Sequence, residues 1–168
     1  AYMEQFQPDI VLHCAALSNT WYCEQHPDES HRVNVQGTVK IAKSCKHIGA
    51  KLVFMSSDQV YNGTPVSGPL KEQDVFQPVN VYGRHKLEAE QRALRNNPMS
   101  VALRLTWMYD VPSSPMKLNS NILVNIQKAL DESTTIKAAT HEYRGVTNVW
   151  EVVRNMEQTL ELPGGIYN

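Results

Sequence analysis

The sequence predicts an α/β fold in which helices flank a central parallel sheet. Short apolar runs with β-branched residues, typical of buried strands, alternate along the chain with longer amphipathic stretches that are typical of helices. Strands that alternate with helices in this way usually pair in parallel through right-handed crossovers. At 168 residues, the chain is long enough for a domain with its own hydrophobic core.

The first third of the chain predicts two strands and the helix between them. Residues 1–7 are predicted to be the end of a helix. Asp9–Ala15 is short, continuous and apolar, as expected for a buried strand. Roughly His26–Ile48 carries apolar residues along one side and is predicted to be a helix that stops at Gly49. Lys51–Ser56 is predicted to be the second strand.

The rest of the chain continues the alternation. Residues 62–78 are rich in Pro and Gly, which predicts a loop. The elements predicted after it are a helix at Asn80–Asn96, a strand at Val101–Leu105, a helix at Leu118–Leu130, a strand at Thr134–Ala138 and a helix at Val149–Leu160. Val111–Pro115 is expected to be a mobile loop. Trp150 and Val153 on the last helix are expected to lie in the core.

Composition and charge argue against several functional classes. The net charge of −1 gives no reason to expect binding to nucleic acid or to a membrane surface, and no stripe of basic and aromatic residues suggests nucleic acid. The apolar runs are too short to span a bilayer, and we expect no signal peptide. Three widely spaced cysteines without a CxxC pair favour a reducing, cytoplasmic setting.

The sequence could suggest a zinc site formed by His13, Cys14, Cys23 and His26. Neighbouring residues on a strand point to opposite faces, so His13 and Cys14 do not converge on one ion. No metal site is therefore predicted.

In open α/β sheets, functional residues collect beyond the carboxyl ends of the strands. Here that rule selects residues 14–19, 56–63 and 106–110. Ser56, Ser57 and Asp58 follow the second strand directly. A hydroxyl at this point could hydrogen-bond to a substrate carbonyl and polarise it. Two serines in an ordinary turn are the better explanation of this segment taken alone.

Tyr82 and Lys86 are four residues apart at the start of a predicted helix, so they share one face. A nearby cation favours the phenolate and would bring the pKa of the tyrosine towards neutrality, which suits a proton donor. The pair is short and common, so by itself it is better explained as an aromatic residue beside a solvated lysine. The other charges of this helix, at Arg84, Glu88, Glu90 and Arg92, are expected to form mostly a solvated face.

Five segments occur in the order expected for a known family. They are Pro8–Ala16, Val33–Thr38, Phe54–Gly63, Asn80–Leu87 and Leu103–Tyr109. Together they resemble the extended short-chain dehydrogenase/reductases, and most closely the dTDP-4-dehydrorhamnose reductase family. The resemblance implies a Rossmann-like sheet that binds NADPH or NADH. It also implies reduction of a 4-keto sugar linked to a nucleoside diphosphate.

The resemblance also implies residue roles. Ser57 would be the catalytic hydroxyl, Tyr82 the general acid, and Lys86 the residue that binds the nicotinamide ribose and lowers the pKa of the tyrosine. The other residues implied to bind the cofactor are Cys14, Ala15, Ala16, Asn34 and Ser56. Asn34 would also have a structural role. The residues implied to contact the sugar nucleotide are Ser57, Asp58, Val60, Trp107 and Arg144, of which Arg144 could equally be a loop cation.

The chain departs from the family in what it lacks. It contains no Gly-rich phosphate loop, and the resemblance begins at the family's fourth strand. We therefore expect residues 1–168 to be one incomplete Rossmann-type domain without its N-terminal strands, in which about 108–168 begin the substrate lobe. The first strand would then have an open apolar edge, through which the piece could self-associate into a homodimer. We expect little or no activity from this piece alone.

Other functions of the same fold stay open. An epimerase or dehydratase is one, although Gln59 stands where a dehydratase would carry a second acid after Asp58. A non-catalytic regulatory subunit that retains the fold is another. Trp21 lies where the sequence differs from the family, and we expect it to be a packed surface aromatic more than a substrate contact.

Overall fold

The computed structural model describes residues 2–65, 68–74, 77–110, 121–136 and 145–168. The helices are α1 (Tyr2–Phe6), α2 (Thr20–Gln25), α3 (Pro27–Ser30), a π-helix (His31–Gly37), α4 (Thr38–Ile48), a 3-10 helix (Asp58–Tyr61), α5 (Val81–Asn96), α6 (Ile122–Asp131), α7 (Val149–Arg154) and α8 (Met156–Glu161). The strands are β1 (Ile10–His13), β2 (Lys51–Ser57), β3 (Val101–Leu105), β4 (Trp107–Tyr109), β5 (Val146–Asn148) and β6 (Gly165–Tyr167).

The strands of the main sheet lie in the order β1-β2-β3-β6, and all neighbours are parallel. The predicted fold class, a Rossmann-like parallel sheet with flanking helices, is confirmed. β1 lies at one edge of the sheet, where Ile10 is 38 % and Leu12 46 % exposed. The open apolar edge expected from the sequence is thus present in the described chain.

The chain divides into two compact units. The first comprises the residues up to Leu105 together with Gln158–Asn168, and the second comprises Thr106–Glu157. The first unit holds the four-stranded sheet. In the second unit β4 pairs in parallel with β5. Two side-chain contacts accompany this pairing: the hydroxyls of Thr106 and Thr147 are hydrogen-bonded at 2.7 Å, and the indole N–H of Trp150 donates to Asp110.

The core of the first unit lies on both faces of β2. Leu52 and Phe54 point to the face that α4 and α5 cover, where they meet the buried Ala89 and Ala93. Val53 points to the other face and packs with β3 and with the apolar residues that precede β6. Each fully buried Leu or Phe side chain contributes about 1.5–3 kcal/mol relative to exposure. This packing on both faces holds the carboxyl end of β2 in place.

Most predicted elements of the first unit are confirmed, with changed bounds. β3 lies at Val101–Leu105 as predicted, β2 is one residue longer, and β1 is shorter at both ends. The predicted long helix is interrupted by the π-helix, and α2 was not predicted. Trp21 on α2 is 70 % exposed, so it lies on the surface as expected but is not closely packed there.

Predictions for the later part of the chain were less accurate. No strand forms at residues 134–136, which are exposed, and the last two residues of the predicted strand Thr134–Ala138 lie outside the described residues. The fourth strand of the main sheet is Gly165–Tyr167. The last predicted helix is two helices, α7 and α8. Trp150 and Val153 are 41 % and 54 % exposed, so they do not lie in the core. The predicted mobile loop at residues 111–115 lies outside the described residues.

Candidate functional site

The residues selected from the sequence meet in the first unit, where β2 ends and α5 begins. α5 starts after Asn80, whose Oδ1 accepts a hydrogen bond from the backbone N–H of Gly83 at 2.7 Å. The Asn80 amide in turn donates to Oε1 of Gln59 in the 3-10 helix at 2.8 Å. Glu24 of α2 accepts from the N–H of Val81. These contacts fix the first turn of α5, which carries Tyr82.

Gly83 lies so close to the 3-10 helix that a side chain has no space there. A Cβ built on Gly83 would lie 2.3 Å from the carbonyl oxygen of Gln59 and 2.9 Å from Cβ of Pro78. We expect Gly83→Ala to lower the free energy of unfolding by about 1–3 kcal/mol, because the first turn of α5 must move. Urea denaturation would measure it.

The matched control for this variant is Gly37→Ala. Gly37 also has helical backbone angles, but a Cβ built on Gly37 would lie 3.8 Å from its nearest neighbour, the Arg32 carbonyl oxygen. There alanine should be neutral or stabilising by up to about 1 kcal/mol. Equal stability changes for the two variants would contradict the close approach at Gly83.

Ser57, Tyr82 and Lys86 come together at this point. All three are buried, with 8 %, 8 % and 2 % of their surface exposed. The Ser57 hydroxyl interacts with the Tyr82 phenol. The Lys86 ammonium lies 5.6 Å from the centre of the Tyr82 ring and 4.7 Å from that of Phe54. A hydroxyl, a phenol and an ammonium are thus adjacent in one buried cluster.

The pKa of Tyr82 moves in the opposite direction to the one expected from the sequence. Burial raises it to about 12, and hydrogen bonding with the Ser57 side chain opposes that rise. The Lys86 ammonium lies 5.6 Å from the centre of the Tyr82 ring and donates to the carbonyl oxygen of Met55 at 2.8 Å. Tyr82 is therefore protonated at neutral pH, which is the form that can donate a proton.

Burial lowers the pKa of Lys86 to about 8, while the charge of Glu90 raises it. An ammonium group has three donors. Among the described residues, the Lys86 ammonium has one hydrogen-bond acceptor, the Met55 carbonyl oxygen. A buried ammonium with two unused donors fits the hydroxyls of a nicotinamide ribose. The residues present thus fit the ribose end of a dinucleotide, and the sequence holds no Gly-rich loop for its phosphates.

Asn34 lies in the π-helix and fixes the segment that follows β1. Its Oδ1 accepts from the N–H of Leu17 at 2.8 Å, and its Nδ2 donates to the Leu17 carbonyl at 3.0 Å and to Ser30 Oγ at 3.2 Å. These bonds occupy its amide, so its role in this arrangement is structural. Of the residues expected to line the cofactor groove, Cys14 and Ala15 are exposed and Ala16 is half-buried.

The other expected contact residues are more dispersed. Ser56 Oγ donates to Glu90 and is directed into the protein. Asp58 is half-buried beside Ser57 and accepts from its hydroxyl at 3.2 Å. Val60 is fully buried in the 3-10 helix. Trp107 lies in the second unit, 45 % exposed, and Arg144 lies outside the described residues.

His13 is buried next to this cluster, in a position that the sequence did not assign. Its Nε2 is hydrogen-bonded to Thr38 Oγ1 at 3.0 Å and its ring stacks on Phe54. Burial, and then the charge of Lys86, lower its pKa below the usual 6.5. The folded protein therefore holds His13 neutral at a pH where the unfolded chain would protonate it.

This histidine makes stability depend on pH. Between the folded pKa and 6.5 the unfolded state binds more protons, so stability falls as the pH drops through that window. We expect the melting temperature to fall on going from pH 7.5 to pH 5, and His13→Gln to reduce that fall. The exposed His47 is the control. If His13→Gln and His47→Gln gave the wild-type pH dependence, His13 would not be the buried neutral group described here.

Sequence reasoning missed a buried ion pair beside the cluster. Glu90 was expected on a solvated face, but it is fully buried and pairs with Arg104 of β3 at 2.8 Å. Lys86, expected on the same solvated face when taken alone, is buried too. The spacing of these residues does indicate a shared position on the helix. Tyr82, Lys86 and Glu90 follow one another at intervals of four residues, so they lie along one side of α5.

Within the described ranges, no group of three or more His, Cys, Asp or Glu residues could hold a metal ion. In the same part of the chain, no helix is long and apolar enough to cross a membrane.

Comparison with known proteins identifies related sequences. The model of the family described as the RmlD substrate binding domain matches residues 1–163. The chain is 40 % identical over 104 residues to methionine adenosyltransferase 2 subunit beta of Bos taurus, across 62 % of this chain and 30 % of that protein. It is 36 % identical over 101 residues to dTDP-4-dehydrorhamnose reductase of Mycolicibacterium smegmatis, across 60 % of this chain and 31 % of that protein.

Solved structures share the fold. dTDP-4-dehydrorhamnose reductase from Bacillus anthracis in complex with NADP superposes with a TM-score of 0.86 at 23 % identity, over 99 % of this chain and 58 % of that one. The Bordetella bronchiseptica enzyme WbmG in complex with NAD and UDP gives a TM-score of 0.83 at 19 % identity, over 99 % and 52 %. The chain thus spans less than two thirds of the proteins that it matches.

Proposed function

The chain belongs to the RmlD substrate binding domain family, and we propose that its parent protein is a dinucleotide-binding subunit of a methionine adenosyltransferase. The observation that carries the proposal is the 40 % identity over 104 residues to the bovine subunit beta. This proposal is the regulatory-subunit alternative that the sequence left open.

The site of the first unit has a binding role in this proposal. Lys86 offers unused donors to ribose hydroxyls, and Tyr82 and Ser57 add a phenol and a hydroxyl beside them. The dinucleotide that we propose is NADPH or NADH. This donor set supports the proposal, and so do the fold neighbours that were solved in complex with NADP or with NAD. We further propose that the first unit belongs to the cofactor-binding half, and that Thr106–Glu157 begins the substrate-binding lobe.

The decisive experiment is an association measurement with the full-length protein. It would be mixed with the methionine adenosyltransferase catalytic subunit of the same organism and examined by size-exclusion chromatography with light scattering. We expect a complex whose mass exceeds either component. Two folded proteins that elute separately at tens of micromolar would contradict the subunit proposal.

A reductase is the second candidate, favoured by the convergence of Ser57, Tyr82 and Lys86. A bound nicotinamide would supply hydride to the carbonyl carbon of a nucleotide-linked 4-keto sugar. The Ser57 hydroxyl would donate a hydrogen bond to the carbonyl oxygen, and Tyr82 would deliver the proton to that oxygen as the alcohol forms. Lys86 would hold the ribose. A dehydratase is less well supported, because the buried Gln59 provides no second acid and bonds to Asn80.

The two candidates differ in a simple assay. With NADPH and a dTDP-linked 4-keto-6-deoxy sugar, a reductase should consume NADPH, as followed by the loss of absorbance of the reduced nicotinamide. A subunit without turnover should bind NADPH without consuming it. A protein that neither binds nor oxidises NADPH would contradict the cofactor role in both candidates.

A further inference from the structure

The ion pair of Glu90 with Arg104 is unusual for its depth. Glu90 is fully buried and Arg104 is 4 % exposed. The carboxylate accepts from Nη2 at 2.8 Å and from Nε at 3.1 Å, so the guanidinium binds it through two nitrogens. Removing two charges from water costs several kcal/mol per ion, and apolar residues of equal size often replace such pairs without loss of stability. Stability alone therefore does not explain why charges are placed here.

The carboxylate of Glu90 joins three elements around the candidate site. It lies on α5, pairs with Arg104 of β3, and accepts a hydrogen bond from the Ser56 hydroxyl near the end of β2. Ser56 stands between Met55, whose carbonyl binds the Lys86 ammonium, and Ser57. One side chain thus ties the end of β2 to the helix that carries Tyr82 and Lys86.

Glu90 lies four residues after Lys86 on α5, so the two buried side chains share one side of the helix and the carboxylate charge acts on the ammonium. The Lys86 ammonium is 2 % exposed and its hydrogen-bond acceptor is a neutral carbonyl. Burial lowers the pKa of Lys86, and the charge of Glu90 has the largest effect in the opposite direction. The ionisable groups that face Lys86 are, in chain order, His13, Cys14, Cys23, Tyr82 and Glu90.

We propose that Glu90 is a positioning residue, which fixes the end of β2 through Ser56 and places a negative charge on the side of α5 where the Lys86 ammonium meets the hydroxyls of a bound ribose. This inference rests on the dinucleotide binding proposed above. It assigns the buried ion pair a role in ligand binding.

The test is the titration of Lys86 in the ligand-free, full-length protein. Selective ¹³C labelling of lysine Cε lets NMR follow the protonation of Lys86 with pH. In Glu90→Gln, which keeps the shape but loses the charge, we expect the midpoint to fall from about 8 by roughly one unit or more. A folded Glu90→Gln protein with an unchanged midpoint would overturn the proposal, since a merely structural glutamate would not move it.

Binding gives the second readout. With the lower midpoint, less Lys86 is charged at pH 8, so the dissociation constant for NADPH should rise on the order of fivefold at pH 8 and little at pH 6. Glu88→Gln is the matched control: Glu88 lies two residues earlier on α5, is half-exposed and pairs with Arg92. It should leave both the Lys86 midpoint and the pH dependence of NADPH binding unchanged.

Two further outcomes also test the proposal. If Glu90→Gln does not fold, Glu90→Gln/Arg104→Gln removes both charges but keeps hydrogen-bonding groups, and the Lys86 midpoint should still fall. A folded double variant with the wild-type midpoint would overturn the proposal. If the midpoint falls but the wild-type protein binds no NADPH at any pH, the effect of Glu90 on Lys86 is supported and the cofactor role is overturned.

Discussion

Arg104→Met should lower the free energy of unfolding by about 3–5 kcal/mol, because it leaves the carboxylate of Glu90 buried without its cationic partner. The same change also removes the guanidinium from the Tyr61 hydroxyl, to which it donates at 2.9 Å. Urea or thermal denaturation of the purified variant would measure the loss.

Two controls isolate the cause. Arg92→Met removes the partner of Glu88, where both side chains are 40 % exposed, and should cost no more than about 1 kcal/mol. Glu90→Leu/Arg104→Met removes both buried charges and should be more stable than Arg104→Met alone. If Arg104→Met and Arg92→Met had equal stability, the burial of the ion pair would have no energetic consequence.

Tyr82→Phe should have the largest effect on chemistry if the parent protein is a reductase. In the reductase proposal the phenol would be the proton donor, and loss of a general acid lowers the rate of NADPH oxidation by about 10²–10⁴-fold. The ring and its packing with Cys23 and Val81 are kept, so folding should be little affected. NADPH oxidation with a dTDP-linked 4-keto-6-deoxy sugar would measure the loss.

The control for Tyr82→Phe is Tyr22→Phe, which removes a hydroxyl that is hydrogen-bonded to Glu29 on α3. It should leave the rate unchanged. Turnover that survives Tyr82→Phe would rule out the proton donor proposed here. In a subunit without turnover, neither variant should alter association with the methionine adenosyltransferase catalytic subunit.

The central part of the fold could be predicted because local patterns determine it. β2, β3 and α5 each have a continuous apolar or amphipathic pattern, and the structure places all three within one residue of their predicted bounds. The fourth strand was misplaced because Thr134–Ile136 are β-branched but pair with no strand among the described residues, whereas the short Gly165–Tyr167 gains a ladder with β3. Pairing over a long distance in sequence decides such short strands.

The candidate site could be predicted only in part. Ser57, Tyr82 and Lys86 were found because they follow a strand or share a helix face, and the structure brings them together. Glu90 and Arg104 were missed because a charged residue is usually exposed unless a partner is buried with it, and the partner lies on another element. The raised pKa of Tyr82 was missed for the same reason, since the degree of burial is a property of the packed fold.

The order of the main sheet has a consequence for the evolution of the chain. β3 and β6 are neighbours in the sheet, yet the whole second unit, Thr106–Glu157, is inserted between them in sequence. The entropy of closing such an insertion grows only slowly, by about 0.6 kcal/mol for each doubling of its length. Residues 106–157 can therefore lengthen, shorten or be exchanged at little thermodynamic cost to the sheet. Such changes would leave the buried cluster of Ser57, Tyr82 and Lys86 in place, since all three belong to the first unit.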